Sequence, residues 1–192
     1  MSKGKLFVIS GASGVGKGTV LKAVMDARKD LIFSVSATTR APRPNEVEGV
    51  HYYFVTKERF ENMIDEEAFL EYSNHNDNYY GTPKAQAEEK LTRGHVVFDI
   101  EPNGAQGIRR NRPDATLIFI MPPSMEELER RLRGRGDTPE DQIAIRLERA
   151  VWEMEQRTWY DHVVVNDQVD VCAQEILDII SAVADTNEIG GN

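Results

Sequence analysis

The sequence is poor in cysteine and in positive charge. Cys172 is the one cysteine among 192 residues, so an internal disulfide framework is excluded and a reducing compartment is indicated. It lies in an apolar helical pattern, which predicts a buried side chain. Lysine and arginine number 23 against 32 acidic residues, a formal net charge of −9. This balance excludes a general binder of nucleic acids or membrane surfaces, so any anionic ligand must be held by a local group of cations.

Long hydrophobic runs are also lacking. No apolar stretch approaches the length needed to cross a bilayer. Residues 1–4 pass directly into a predicted strand, without the apolar segment of a signal peptide. The chain contains no internal repeats, and 192 residues suit one domain with a full hydrophobic core. These features predict a soluble cytoplasmic protein.

A glycine-rich segment at residues 9–19 follows a short apolar run and precedes an amphipathic stretch. Its sequence is Ile-Ser-Gly-Ala-Ser-Gly-Val-Gly-Lys-Gly-Thr. A strand, a glycine turn and a helix start are the context of a phosphate-binding loop, in which backbone N–H groups and Lys17 surround a phosphate. The pattern usually has Ser or Thr directly after the lysine, whereas this chain has Gly18 and then Thr19. The alternative is a tight turn capped by a helix.

Apolar strands that alternate with helices indicate an α/β fold, with a parallel sheet covered by helices on both sides. The clearest strands are the apolar runs at 6–9, 96–100 and 117–121. Residues 36–95 differ, because they combine short strands and short helices with many aromatic and charged side chains, and they predict an insert beside the main sheet. Within the insert, the prolines of residues 36–44 predict an extended, stiffened loop. We expect the ligand at the carboxyl ends of the strands, between insert and core.

Two further patterns concern the helices of the second half. Ser124 and Glu127 predict a capping box at one helix start. The long helix that follows the next link has an apolar face predicted at Ile143, Leu147, Ala150, Val151 and Met154.

Arginines form two groups along the chain. Arg40 and Arg43 lie in the proline-containing segment, and the second group comprises Arg131, Arg133, Arg135 and Arg146. Guanidinium forks fit phosphate oxygens bidentately, so both groups are candidates for phosphate binding. The alternatives are a solvated loop for the first group and a surface helix rich in Arg and Glu for the second.

Acids follow the buried strand at residues 96–100. Asp99 lies near its carboxyl end, and Glu101 faces the same side of an extended chain two residues later. A carboxylate in this position can orient the waters of a magnesium ion beside a nucleotide. The alternative, that these acids only begin the next loop, fits Glu101 better than Asp99.

A series of motifs resembles the bacterial guanylate kinases over residues 4–181. They are Gly-Ala-Ser-Gly-Val-Gly-Lys-Gly-Thr at 11–19, Ser-Ala-Thr-Thr-Arg-Ala-Pro-Arg-Pro at 36–44, Phe-Leu-Glu-Tyr at 69–72, Asn-Tyr-Tyr-Gly-Thr at 78–82, Arg-Leu-Arg-Gly-Arg-Gly at 131–136, and Val-Val-Val-Asn-Asp at 163–167. Each motif alone is moderately specific, and their order makes the resemblance very specific.

The resemblance implies transfer of the γ-phosphoryl group of ATP to GMP, and to dGMP, with magnesium, for the synthesis or recycling of guanine nucleotides. It implies a single domain over residues 1–192, whose P-loop kinase core comprises 1–35, 96–127 and 148–192. A GMP-binding α+β insert at 36–95 and a short lid at 128–147 complete it. The implied partners are the small molecules ATP and GMP. The resemblance leaves the oligomeric state open, and a homo-oligomer is one of the alternatives.

The resemblance also implies residue roles. ATP binding is carried over to Gly11, Ala12, Ser13, Gly14, Val15, Gly16, Lys17, Gly18, Thr19, Arg131 and Arg135. GMP binding is carried over to Ser36, Arg40, Arg43, Tyr52, Glu71, Tyr80, Thr82, Asp99 and Glu101. Catalysis is carried over to Lys17, Arg40, Arg131, Arg146 and Asp99. No direct protein ligand of magnesium is expected, since the ion would be held through water near Thr19 and Asp99.

The implied reaction needs no general base, because the acceptor is a phosphate oxygen that is already ionised. The four histidines, His51, His75, His95 and His162, are therefore expected to be structural or superficial. Glu71 is suited to guanine, which presents N1–H and the N2 amino group side by side, whereas adenine would leave a carboxylate unpaired.

Three positions depart from the family pattern. Glu101 replaces a frequent Asp, Asn103 a common Gln, and Asp77 a frequent Gly, which is tolerable if φ is positive there. Two alternatives stay open, a non-catalytic guanylate-kinase-like interaction module and a kinase for another small phosphorylated acceptor.

Overall fold

The computed structural model describes residues 4–75, 77–134 and 139–185, which contain both strands and helices. The strands are β1 (Leu6–Gly11), β2 (Leu31–Phe33), β3 (Ser36–Thr38), β4 (Tyr52–Phe54), β5 (Phe69–His75), β6 (Asn78–Pro83), β7 (His95–Asp99), β8 (Thr116–Met121) and β9 (His162–Val165). The helices are α1 (Lys17–Ala27), α2 (Lys57–Asp65), α3 (Lys84–Leu91), α4 (Pro102–Asn111), α5 (Met125–Gly134), α6 (Glu140–Glu155) and α7 (Val169–Asp185), and a 3₁₀ turn (Gln156–Trp159) follows α6.

The predicted α/β class is confirmed. Five strands form one sheet in the order β2-β7-β1-β8-β9, and the pairs β2–β7, β1–β8 and β8–β9 are parallel. All six residues of β1 are buried, as are the four central residues of β8. Burial on both faces explains why these strands are almost continuously apolar in sequence.

The chain divides into two compact units, and the first comprises the residues up to Leu6 together with Leu31–Ala115. It contains a four-stranded sheet in the order β4-β3-β6-β5, in which β3 runs parallel to β4 and antiparallel to β6. Phe60 of α2 is fully buried and stacks on Phe69 and Tyr79, with ring centroids 4.4 and 5.1 Å apart. These contacts fix α2 against the sheet.

Two expectations for the first unit were wrong. The start of the proline-containing segment is strand β3 and not a loop, because Ala37 and Thr38 pair with Gly81 and Tyr80 of β6 before the first proline, Pro42, is reached. The sequence analysis also predicts no element where α4 lies. This helix begins with proline at its first position and contains two glycines, which are poor helix formers and weaken the pattern.

Asp77 meets the condition under which it can replace the family's frequent glycine. Its φ is 61°, a conformation that glycine adopts more readily than aspartate.

The second unit comprises Phe7–Asp30 together with the chain from Thr116 onward. Val20 and Val24 of α1 and Ile176 and Ile180 of α7 are fully buried where these two helices pack together. Cys172 of α7 is also fully buried, as predicted.

Two helix predictions for the second unit hold in part. The Ser124 hydroxyl accepts a 3.1 Å hydrogen bond from the Glu127 amide, but the Glu127 carboxylate binds Arg130 and Arg131, so only one half of the capping box forms. On α6, Ile143, Ala150 and Met154 are buried, whereas Val151 is 44% exposed. Leu147 is half-buried and Val151 lies at the edge of the apolar stripe, so the predicted face is buried only in part.

No helix in the described ranges is both long and apolar enough to cross a membrane. The positions 135–138 and 186–192 lie outside the described residues, and with them the prediction for Arg135.

Candidate active site

The glycine-rich loop joins the end of β1 to the start of α1. Gly14 and Gly16 have φ values of 88° and 92°, in the left-handed region that other residues rarely adopt. Gly16 is the N-cap of α1, and Lys17 is the first residue of the helix. The loop therefore brings the lysine and the N–H end of a helix to one place, as the sequence predicts for a phosphate site.

The loop is held by side chains from distant parts of the second unit. Asn166 donates from Nδ2 to the Val15 carbonyl at 2.8 Å, and the Asn166 side chain is buried. Arg131 donates from Nη1 to the same carbonyl at 3.2 Å and to the Asn166 carbonyl at 2.8 Å. The sequence analysis quotes Asn166 within a motif but assigns it no role, because an asparagine just after a strand gives no sign of the distant contact it makes.

Arg131 is the arginine of the second group that contacts the loop. Its Nε also binds Glu127 at 2.7 Å, and its side chain is 21% exposed. Arg133, in contrast, pairs with Glu129 and Glu140 on the exposed surface, as in the alternative of a surface helix. Arg146 lies partly exposed on α6.

A buried carboxylate lies on the four-stranded sheet of the first unit. Glu71 is 7% exposed and pairs in register with Thr82 on the neighbouring strand. The Thr82 hydroxyl donates to Oε1 of Glu71 at 2.6 Å. Burial raises the pKa of Glu71 to about 7, against the opposing effect of the Thr82 hydrogen bonds, and the like charge of Glu101 raises it further.

Helix α4 packs closely over Glu71 because it carries glycine at the points of contact. A Cβ atom at Gly104 would lie 2.5 Å from Oε2 of Glu71, and one at Gly107 would lie 2.8 Å from Cβ of Glu71. The sequence analysis missed these two positions. The signal was present in the spacing Gly-x-x-Gly after Pro102, since glycine inside a helix often marks a close approach of another group.

Arg40 is ordered by a neighbouring carboxylate. Its Nη2 and Nη1 bind the two oxygens of Glu46 at 2.8 and 3.0 Å, and the Arg43 amide donates to Oε2 of Glu46 at 2.7 Å. These hydrogen bonds lower the pKa of Glu46 to about 2. The Arg40 guanidinium also lies 5.4 Å from the centre of the Tyr52 ring. Arg40 therefore already binds one carboxylate bidentately, and the sequence predicts that the arginines of this segment bind phosphate in the same way.

Hydrogen bonds to β6 position the chain that leads to Arg40. The Thr38 hydroxyl and the Thr39 amide both donate to the Tyr79 carbonyl, at 2.9 and 3.1 Å, and the Tyr79 amide donates to the Thr39 hydroxyl at 2.9 Å. Thr38 Oγ1 in turn accepts from the Arg40 amide at 3.2 Å.

The strand register brings most residues predicted for GMP onto one sheet. Ser36 is the register partner of Tyr52, and the rings of Tyr52 and Tyr80 lie 6.0 Å apart at 69°. Glu71 and Thr82 lie on β5 and β6 of the same sheet. Asp99 ends β7 in this unit, and Glu101 is the N-cap of α4.

Two of the four histidines accept hydrogen bonds from backbone amides. His95 accepts a hydrogen bond from the Lys5 amide at 3.0 Å, and His51 accepts one from the Val47 amide at 3.0 Å. Among the described residues, no three His, Cys, Asp or Glu side chains form a group that could hold a metal ion.

Comparisons with known proteins point to one family. The family model for guanylate kinase matches residues 3–183. The guanylate kinase of Prochlorococcus marinus is 46% identical over 179 residues, 93% of this chain and 97% of that protein. A guanylate kinase of Thermus thermophilus is 48% identical over 181 residues, 94% of this chain and 82% of that protein. The crystal structure of guanylate kinase from Anaplasma phagocytophilum matches with a TM-score of 0.77 and 32% identity, over 96% of this chain and 88% of that one.

Proposed function

The chain belongs to the guanylate kinase family, and we propose that its glycine-rich loop binds ATP while its four-stranded sheet binds GMP. It is a phosphotransferase that moves the γ-phosphoryl group of ATP to GMP, giving ADP and GDP.

On the donor side we assign the phosphates of ATP to residues 11–19. Three amides of this segment are already bonded within the protein, since Ser13 donates to Glu153, Val15 to the Ala12 carbonyl and Thr19 to the Gly16 carbonyl. The phosphates would therefore meet the glycine amides and the first turn of α1, with Lys17 supplying a full positive charge. Arg131 and Arg146 would stabilise charge on the transferring group, as does any cation aimed at developing charge.

On the acceptor side we assign the base of GMP to Glu71, Thr82 and Ser36. The ionised Glu71 carboxylate would accept hydrogen bonds from N1–H and the N2 amino group. Arg40 and Arg43, with the hydroxyls of Tyr52 and Tyr80, would hold the phosphate, which can take the bidentate place that Glu46 fills on Arg40. Asp99 and Glu101 would orient the acceptor near the end of β7.

Magnesium fits the donor chemistry of these residues. The ion prefers oxygen and usually keeps several waters and binds through substrate phosphates, so the oxygen atoms of Thr19 and Asp99 would hold it through water rather than directly. When bound, it would neutralise phosphate charge. The protein's own contribution is then to position the two substrates and to supply fixed cations.

The buried pair of Glu71 and Thr82 is the observation that supports guanine as the base. An interaction module would not need Lys17 and Arg131 at an intact phosphate loop, and a sugar-phosphate acceptor would not need a buried carboxylate matched to two N–H donors. Nothing in the structure favours either alternative.

The assay that tests this proposal measures ADP formation with different acceptors. GMP and dGMP should be phosphorylated, because the proposed contacts do not involve the 2′-hydroxyl, whereas AMP, UMP and CMP should react poorly. Equal or better turnover of AMP than of GMP would exclude the assignment of Glu71 to guanine.

The donor side is tested by Lys17→Ala. This variant should fold, because Lys17 begins α1 at a partly exposed position, but it should lose turnover. A variant that keeps a near-normal rate would remove Lys17 from the mechanism.

A further inference from the structure

A carboxylate from α6 reaches the glycine-rich loop. Oε2 of Glu153 accepts a hydrogen bond from the backbone amide of Ser13, with 2.6 Å between nitrogen and oxygen, although the two residues are 140 positions apart in sequence. The Glu153 side chain is buried, with Glu153 only 2% exposed. Its Oε1 binds Nε of Arg149 at 2.9 Å, one helical turn earlier. The sequence analysis assigns Glu153 no role.

The chemistry of this contact makes it a strong anchor. A hydrogen bond from an amide to an ionised carboxylate is shorter and roughly twice as strong as one between neutral groups. The contact is partly buried and the Glu153 side chain is almost fully covered, which limits the access of water to this bond. The Arg149 guanidinium balances the charge of Glu153, which would otherwise repel an anion arriving at the loop.

The residue on the other side of Gly14, Val15, is also held by side-chain hydrogen bonds. The carbonyl of Val15 is held by Asn166 and Arg131, whereas the amide of Ser13 is held by Glu153. Gly14 lies between these two fixed residues and has the positive φ of 88° that gives the loop its turn. Because Ser13 and Val15 are both held, the loop should lose little further conformational entropy when a ligand binds.

We propose that Glu153 is a positioning residue for the phosphate loop, which it holds in the shape that accepts the phosphates of ATP. The proposal rests on the assignment of this loop to ATP in the proposed function. Glu153 acts through the Ser13 amide and does not touch the substrate. Its removal should therefore weaken ATP binding, because the loop would then have to be ordered at the expense of binding energy.

Three variants test this role by steady-state kinetics with ATP and GMP varied in turn. Glu153→Ala should raise KM for ATP by about tenfold and leave KM for GMP within about twofold. Glu153→Gln keeps an acceptor of the same shape without its charge, so it should raise KM for ATP by only about threefold. The matched control is Glu155→Gln, an exposed acid on the same helix, which should leave both constants unchanged.

Amide hydrogen exchange at Ser13, measured without nucleotide, supplies the second readout. Exchange at Ser13 should speed up in Glu153→Ala, less so in Glu153→Gln, and not at all in Glu155→Gln. Circular dichroism confirms folding of each variant, and if Glu153→Ala does not fold, Glu153→Gln carries the same two measurements.

The outcomes separate the inference from the proposed function. A uniform rise in KM for both substrates, or an unchanged Ser13 exchange rate in either folded Glu153 variant, would overturn the positioning role. A wild-type protein without ATP and GMP turnover would instead overturn the proposed function, and the exchange experiment would still report whether Glu153 holds the loop.

Discussion

The Thr82 hydroxyl donates a 2.6 Å hydrogen bond to Oε1 of Glu71, and Glu71 is only 7% exposed. The bond fixes one carboxylate oxygen and the register of β5 and β6 fixes the backbone on either side. Burial works against the charge that the proposed recognition of guanine requires, and holds the pKa of Glu71 at about 7. Thr82 partly offsets that effect by favouring the ionised form.

The first prediction concerns base recognition. Glu71→Gln should lower kcat/KM for GMP by roughly 10²-fold or more. The glutamine NH2 group would face an N–H donor of guanine, so buried polar groups would be left unpaired. KM for ATP should change little. The control is Glu89→Gln, an exposed acid on α3, which should leave both substrates unaffected. Equal kinetics of the Glu71→Gln variant and the wild type would show that guanine is recognised elsewhere.

The second prediction concerns the pH dependence of GMP binding. Because the free enzyme titrates Glu71 near pH 7 and guanine requires the ionised form, kcat/KM for GMP should rise with pH and level off above about pH 8. The phosphate of GMP itself titrates near pH 6, as phosphate monoesters do. Glu71→Gln retains that titration and should lack the one near pH 7, so profiles of identical shape would contradict the prediction.

The third prediction concerns stability. Titration of Glu71 should lower the free energy of unfolding over the pH range in which it raises kcat/KM for GMP. Glu71 has a pKa of about 7 in the folded chain and an ordinary value of 4.5 when exposed. Between these values the folded chain keeps a proton that the unfolded chain has lost, so the free energy of unfolding falls as pH rises through this window. It stays at the lower value above pH 7.

Glu71→Gln removes that titration. Its stability relative to the wild type should therefore increase from about pH 4.5 to about pH 8, by up to about 3 kcal/mol. Urea unfolding of both proteins at the two pH values measures this difference. A difference that does not change with pH would mean that Glu71 ionises in the folded chain much as it does in water.

The fourth prediction concerns the glycines of α4. Gly104→Ala should lower the free energy of unfolding by about 1–3 kcal/mol and raise KM for GMP, because the new methyl group would meet Ile100 and Oε2 of Glu71. Gly134→Ala is the control for stability, since no described atom lies within 4 Å of a Cβ at that position. An alanine that is tolerated equally at both positions would show that α4 can move away from Glu71.

The fifth prediction concerns the end of α2. The amides of Glu67 and Ala68 donate to the carbonyls of Ile64 and Met63, which is the Schellman arrangement, and Glu67 has a φ of 51°. Glycine is preferred at that position, so Glu67→Gly should raise the free energy of unfolding by about 1 kcal/mol.

Glu67→Ala is the matched control for this change. It removes the same side chain but keeps Cβ, so it should give no such gain in chemical denaturation. Equal gains in both variants would assign the effect to the loss of the acidic side chain instead of the backbone.

The sequence predicts the parts of this molecule whose chemistry is local. The loop at 9–19 combines strand, glycines, lysine and helix start within a few residues, and buried strands such as β8 are visible as apolar runs. The Glu71 and Thr82 pair could be assigned through the resemblance, since both residues lie in recognisable motifs.

Contacts between distant positions could not be predicted in this way. The bond from Ser13 to Glu153 and the bond from Asn166 to Val15 join residues 140 and 151 positions apart. Strand β3 depends on pairing with β6, and the fit of Gly104 depends on where Glu71 comes to lie. Each of these is decided by tertiary packing, which overrides the local preferences that a single sequence displays.

The reactivity of the buried Cys172 thiol can be used to measure how often the fold opens. Burial raises the pKa of its thiol to about 11, so only about one molecule in 10⁴ carries a thiolate at neutral pH, and the closed fold shields the sulfur from reagents. Alkylation by a maleimide therefore requires the helix α7 to detach from its packing. The rate at which the maleimide adds mass under native conditions would measure how often the second unit opens, and no mutation is needed. A cysteine introduced on the surface would react long before it and could carry a dye at a single chosen position.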